Sequence, residues 1–288
     1  MKVSKSFGLF CLLLLGISSC FEPPEFSDGP EISLNKIEFK VTPAFEEADT
    51  LILYIDFKDG DGDLGFNKNN LQHFSDPYHP YTYFLETADG GIRPVATEEV
   101  QITAPSPIPQ KVSLLKASGP AGKLVTNRTR SKPGYGFLPP LDPSKLACQD
   151  YIVSYLIIPP ELLSSIDTTY NVVATSGSGA VLIQDTLYFD TNRNYFNIRV
   201  RFYQKINGVL QEFSWEDEFC STFNGRLPIL SDSNNPLEGT IKYNMQSLGF
   251  LSLFSVKTLA LDIIISDRSL KSDSIRSDEF TLDQKRVN

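Results

Sequence analysis

The stretch from Tyr195 to Trp215 constrains the fold more than any other part of the chain. Its side chains alternate, with Phe196, Ile198, Val200 and Phe202 on one side and Asn197, Arg199, Arg201 and Tyr203 on the other. That two-residue period belongs to a strand with one buried face. Asn207-Gly208 separates the run Tyr195 to Ile206 from a second, Val209 to Trp215. Both residues of the pair accept the positive φ of a type I′ turn, so the two runs are predicted to be antiparallel neighbours. Further runs at Ile32 to Val41, Thr50 to Phe57, Tyr151 to Ile158, Asp185 to Phe189, Gly239 to Met245 and Thr258 to Ile265 are rich in β-branched and aromatic residues and bounded by turn formers. No long stretch keeps helical spacing; Pro143 to Ala147 and Glu161 to Ile166 offer a turn or two each. With no alternation of strand and helix, the expectation is an all-β chain, an immunoglobulin-like antiparallel β-sandwich over residues 31–288.

One segment breaks this pattern. Residues 67–148 hold 11 of the 19 prolines, in runs such as Pro105-Ser106-Pro107-Ile108-Pro109. Proline lacks the N–H that a central strand must donate, so the segment is read as a long, loop-rich insertion in the sandwich. Rigid sandwiches commonly display function on such loops, which makes it the natural place for a binding surface.

The N-terminus addresses location. Lys2 and Lys5 precede an apolar run from Phe7 to Ile17 and then Ile17-Ser18-Ser19-Cys20, the three-part layout of an export signal over residues 1–19. The apolar run has 11 residues, where a lasting helical span needs about 20. Ile17 to Cys20 resembles the lipobox of bacterial lipoproteins. The resemblance implies cleavage before Cys20 and attachment of a diacylglycerol and an N-acyl lipid to it, and two or more acyl chains suffice for stable anchoring. Residues 20–30, with three prolines and three acids, then form an extended, solvated tether. Without Lys2 and Lys5, 24 basic residues face 35 acidic ones, a net charge of −11. That balance argues against nucleic acid as a partner. After export and acylation Cys148 and Cys220 remain, and an oxidising compartment favours a disulfide between them over two buried thiols.

The strongest chemical signal is Asp56-Phe57-Lys58-Asp59-Gly60-Asp61-Gly62-Asp63-Leu64-Gly65. Asp56, Asp59, Asp61 and Asp63, spaced by glycines, offer hard oxygen ligands to one structural Ca²⁺. The loop is no EF-hand, since Leu64 stands where glycine is required, Asn70 stands where a bidentate glutamate belongs, and no helices flank it. The competing reading is a solvated turn whose carboxylates bond nearby amides. The run into Asp56 and the run into Asp267 share one pattern, an apolar strand ending in an acidic turn. Asp267-Arg268 and Arg276 are read as structural, with an arginine pinned to a carboxylate at the sandwich end. His73 and His79, the only histidines, lie six residues apart on a proline-broken loop, a spacing with no defined metal geometry. No Gly-x-Ser-x-Gly or His-Glu-x-x-His motif is present.

Together the lipobox, the Asp-Gly-Asp-Gly-Asp-Leu-Gly loop, Cys148 and Cys220, and the stretches Leu237 to Ile241 and Ile265 to Leu270 resemble a group of uncharacterised Bacteroidota outer-membrane lipoproteins. The resemblance implies an outer-membrane location, facing the surface rather than the periplasm, and no particular chemistry. The expectation is a non-catalytic, lipid-anchored protein that binds a protein partner in the envelope. A surface glycan is the second expected ligand, and a hydrolase without a local motif the third reading.

Overall fold

The structure is a computed structural model and describes residues 26–43, 47–116, 122–144, 150–165, 170–231 and 235–287. Cys20, Cys148 and the first half of the tether lie outside them. In chain order the strands are β1 (Glu31–Lys40), β2 (Asp49–Asp59), β3 (Tyr81–Glu86), β4 (Ile92–Gln101), β5 (Lys111–Lys116), β6 (Lys123–Leu124), β7 (Tyr151–Ile158) and β8 (Asn171–Thr175). They continue with β9 (Val181–Thr191), β10 (Ile198–Ile206), β11 (Val209–Phe213), β12 (Leu237–Ser247), β13 (Leu259–Ser266), β14 (Ser272–Arg276) and β15 (Arg286–Val287). Among the described residues no helix is long and apolar enough to cross a membrane.

Two four-stranded sheets, β12-β2-β1-β15 and β11-β10-β13-β14, face each other. If β1, β2, β10, β11, β12, β13 and β14 are taken as strands A, B, C, C′, E, F and G, the sheets read E-B-A and C′-C-F-G, the immunoglobulin-like order. The hairpin expected at Asn207-Gly208 is there, with φ of 51° and 83° and Ile206 paired with Val209. Alternation turns Ile198, Val200 and Phe202 of β10 inward onto Leu51, Leu53 and Ile55 of β2 and onto Leu261, Ile263 and Ile265 of β13. Phe202 is at the centre of an aromatic cluster, 5.6 Å from Trp215 edge-on and 6.2 Å from Phe254 nearly parallel. The run predicted to continue to Trp215 stops at Phe213 because Ser214 caps a short helix, Trp215–Phe219, its hydroxyl accepting from the Asp217 N–H at 3.1 Å.

The connection between β2 and β10 holds a second unit. Strands β3, β4, β5, β7 and β9 pair in that order, and β3 pairs with β9 to close a five-stranded barrel. Its interior is filled by Tyr83, Leu85, Val95, Leu115, Leu156, Ile158, Ile183 and Leu187. Residues 67–148, expected to be loop-rich, therefore supply four strands, and β7 and β9, expected in the sandwich, belong to the barrel as well, with β8 added along the edge of β9. The prolines mislead because most of them sit between strands. The one inside β4, Pro94, pairs with Phe84 on one side but precedes Ala96, where pairing with β5 begins. Its missing N–H thus faces no partner strand.

Candidate functional site at the joint between sandwich and barrel

The chain leaves the sandwich for the barrel after β2 and returns before β10, so both connections meet at one end of the sandwich. Arg226 stitches them together. Its guanidinium lies 3.9 Å from the ring centre of Phe66, 4.7 Å from Phe74 and 4.4 Å from Tyr195. It also donates to the carbonyls of Tyr195 at 2.5 Å and His73 at 2.7 Å, one on each connection. Asn192 donates to the carbonyls of Pro77 and His79, both at 2.8 Å. The segment before β1 reaches the same end, where the Ser27 carbonyl accepts from the Gly60 N–H at 2.8 Å.

The acidic loop forms this end of the sandwich. In β2 the buried side of the alternation includes Phe57 and Asp59, while Asp56 and Lys58 face the other way. Gly62 and Gly65 then take φ of +66° and +100°, and a Cβ on either would collide with a backbone carbonyl, of Asn235 and Pro228 respectively. The turn brings Asp59, Asp61 and Asp63 together with Asp267, which directly follows β13 on the facing sheet. One carboxylate oxygen from each of the four lies within 4.8 Å of the others.

Asp59, Asp63 and Asp267 are each held by a hydrogen bond to one carboxylate oxygen while the other oxygen has no hydrogen-bond partner. Asp59 accepts from the Leu64 N–H at 3.0 Å, Asp63 from the Ser269 hydroxyl at 2.7 Å and Asp267 from the Lys271 N–H at 2.8 Å. Their remaining oxygens, Oδ1 of Asp59 and Asp63 and Oδ2 of Asp267, are buried and unpartnered. Asp59 and Asp267 are 0% and 1% exposed. Burial, reinforced by Asp63 and more weakly by Asp61 and Asp59, pushes the Asp267 carboxyl up to about 6, although the Lys271 N–H opposes the rise. Burial also raises Asp59, against the hydrogen bond from Leu64 and with added repulsion from Asp61 and Asp63. Lys271, whose Nζ is 3.5 Å from Asp61 and 3.8 Å from Asp28, is a nearby cation, as is Arg268 on the Gly65 carbonyl.

Of the four aspartates singled out in the sequence, the structure brings three together and leaves Asp56 out. Asp56 lies on the opposite side of β2, accepting from Asn35 at 2.9 Å and Thr240 at 2.5 Å, and these bonds lower its pKa. Asp267 takes the fourth place. The signal for it was the repeated pattern of an apolar strand ending in an acidic turn, which becomes one site only when B-to-C and F-to-G connections meet at the same sandwich end. Arg276 grips Asp262 through two bonds of 2.5 and 2.6 Å, but on an exposed stretch of the paired β13 and β14 and not as the partly buried pin expected at the sandwich end. Arg268 instead donates to the Gly65 carbonyl at 2.8 Å, and its own carbonyl accepts from Tyr78. His73 Nδ1 accepts from the Asn67 N–H at 2.8 Å, and buried His79 contacts Thr82 at 3.1 Å.

A second feature of the joint is a groove of about 450 Å³ between barrel and sandwich, where Tyr81, Phe189, Tyr195 and Phe196 meet Glu216 and Asp217. Cys220, at the end of the helix bearing those acids, also lines it and is disulfide-bonded; Cys148, its expected partner, lies outside the described residues. Compared with protein-family models, curated proteins and solved structures, the chain matches none.

Proposed function

We propose that the chain is a non-catalytic lipoprotein, anchored in the outer membrane through acylated Cys20 and facing the cell surface, which binds a protein partner of the envelope at the groove between barrel and sandwich. The location rests on the N-terminal export signal and lipobox. The observation that carries the binding reading is the groove itself: aromatic side chains along a seam between two units, with Glu216 and Asp217 at its edge. Such a surface suits an extended partner segment that offers apolar side chains next to lysine or arginine. The tether joins the body at the joint, through Ser27 and Gly60, so a partner docked there lies close to the membrane.

The test is affinity isolation of the full-length chain from detergent-solubilised envelopes, comparing wild type with the double charge reversal Glu216→Lys and Asp217→Lys. Both residues are exposed, so the fold tolerates the change. A stoichiometric partner lost in the variant supports the reading, whereas equal recovery from both chains, or none from either, overturns it. A glycan is the second reading, because aromatic rings beside carboxylates also stack on and hydrogen-bond sugars. Retention on a glycan array, abolished by the same variant and without a protein partner, would favour it.

A further inference from the structure

We propose that Asp59, Asp61, Asp63 and Asp267 bind one Ca²⁺ and that this ion locks the acidic loop, the β13–β14 turn and the base of the tether into a single joint. The inference is independent of the groove and its partner. Three carboxylates are each fixed by a hydrogen bond to one oxygen while the other oxygen is buried without a partner. A buried acceptor left unpaired costs roughly 1–3 kcal/mol, and more when charged, so three in one place call for a common partner. A proton shared between two of the carboxylates would leave the third inward oxygen unsatisfied. One ion satisfies all of them.

The donor set selects the ion. All four donors are carboxylate oxygens, the ligands of hard cations; thiolates and imidazoles, which draw zinc or copper, are absent from the set. Ca²⁺–oxygen distances of about 2.3–2.6 Å put ligands on opposite sides of the ion about 4.6–5.2 Å apart, and the four donor oxygens lie within 4.8 Å of one another. Mg²⁺ keeps several waters and seldom takes a cage of protein carboxylates. Four negative groups next to Lys271 and Arg268 also leave room for two positive charges, which would relieve the mutual repulsion of the carboxylates.

The neighbouring bonds explain what the ion would hold. Asp59 ends β2 immediately before Gly60, which bonds Ser27 of the tether. Asp63 is tied to Ser269, and Arg268 reaches Gly65 on the segment that leads to the barrel. Lys271 spans Asp61 and Asp28. Ligation of the four aspartates therefore fixes both sheets of the sandwich to the entry of the barrel and to the tether.

The experiment titrates CaCl₂ into the full-length chain, purified in detergent and stripped with chelator, by calorimetry and by thermal melting. The expected result is one ion per chain and a melting temperature raised by about 5–10 °C at saturation. Asp267→Asn is expected to weaken binding at least 100-fold and to melt at one temperature with or without Ca²⁺, while Asp56→Asn binds like wild type. Should Asp267→Asn fail to fold, Asp61→Asn, at a half-exposed position, serves as the second variant with the same expected loss. No heat and no melting shift at millimolar Ca²⁺, or binding that these variants leave intact, overturns the site. Hydrogen exchange at Leu64, Phe66 and Lys271 reads the joint: slower exchange with Ca²⁺ supports the lock, and binding with unchanged exchange overturns it.

Discussion

The sandwich and the barrel bury their cores by different means. In the sandwich, two open sheets meet face to face, and the space between them is filled by rings around Phe202 and Trp215 and by the inward residues of β2, β10 and β13. Each of its eight strands is either central or an edge, so the alternation along a strand directly records which face is wet. The barrel has no free lateral edges around its ring, because β3 turns back onto β9 through Tyr81–Thr191 and Tyr83–Phe189. Its interior is mostly aliphatic, with Tyr83 as the large exception, fully buried and bonded to Ser154 at 2.6 Å. The lesson is that the sandwich is specified by local period, whereas the barrel is specified by closure, a property of pairs far apart in the chain.

That contrast breaks most visibly in the cores. Phe202→Ala should cost about 3–5 kcal/mol and Leu156→Ala about 2–5 kcal/mol, the first in the sandwich and the second in the barrel. Calorimetry decides whether the units share one transition: if they are coupled, either variant lowers a single melting peak, and if they are independent, each variant splits off its own.

Arg226→Ala is the next largest effect. It removes three ring contacts and two charge-assisted bonds that connect the entry and exit segments, a loss of roughly 2–4 kcal/mol. Neither core is touched, so the expected outcome is a split melting curve with both strand systems intact by circular dichroism. Arg226→Lys should rescue only part of it, since an ammonium cannot reach two carbonyls while stacked among three rings.

The smallest effect is on pH dependence. Burial lowers the His79 pKa below its ordinary value of 6.5, against a weaker opposing pull from Asp76. The folded protein therefore binds this proton less readily than the unfolded chain, so the stability that His79 contributes is complete above pH 6.5 and is lost as pH falls through the folded pKa. Melting temperatures measured from pH 7.5 to 5.5 should decline more in wild type than in His79→Gln. Equal slopes would remove His79 from the account.

Legibility follows the same division. The sandwich strands β1, β2, β10, β12 and β13 were readable because each has one dry face, and the Asn207-Gly208 turn fixed the β10–β11 register locally. Strands β3, β4 and β5 were hidden: Tyr-Thr-Tyr-Phe-Leu-Glu and Lys-Val-Ser-Leu-Leu-Lys are short, β4 carries Pro94, Arg93, Glu98 and Glu99, and the segment around them is dense in prolines. Two short helices, Trp215–Phe219 and Phe250–Phe254, escaped for the opposite reason, since five residues are too few to establish a period. In the candidate site, Asp59, Asp61 and Asp63 were visible as a local cluster. Asp56 was included by proximity alone, and the strand's pleat sends it to the other face.

By itself the sequence determined the all-β class, the hairpin and three of the four aspartates, because each can be read from side-chain alternation or turn residues within single short stretches. The tertiary structure decided the rest. It closed the barrel from three strands of a segment that reads as loops and two that read as sandwich strands, made Arg226 the pin between two units, and replaced Asp56 with Asp267. Those outcomes depend on which strand ends meet in space, and the immunoglobulin-like order, by bringing the β2 and β13 ends together, is what makes two separate acidic turns into one cluster.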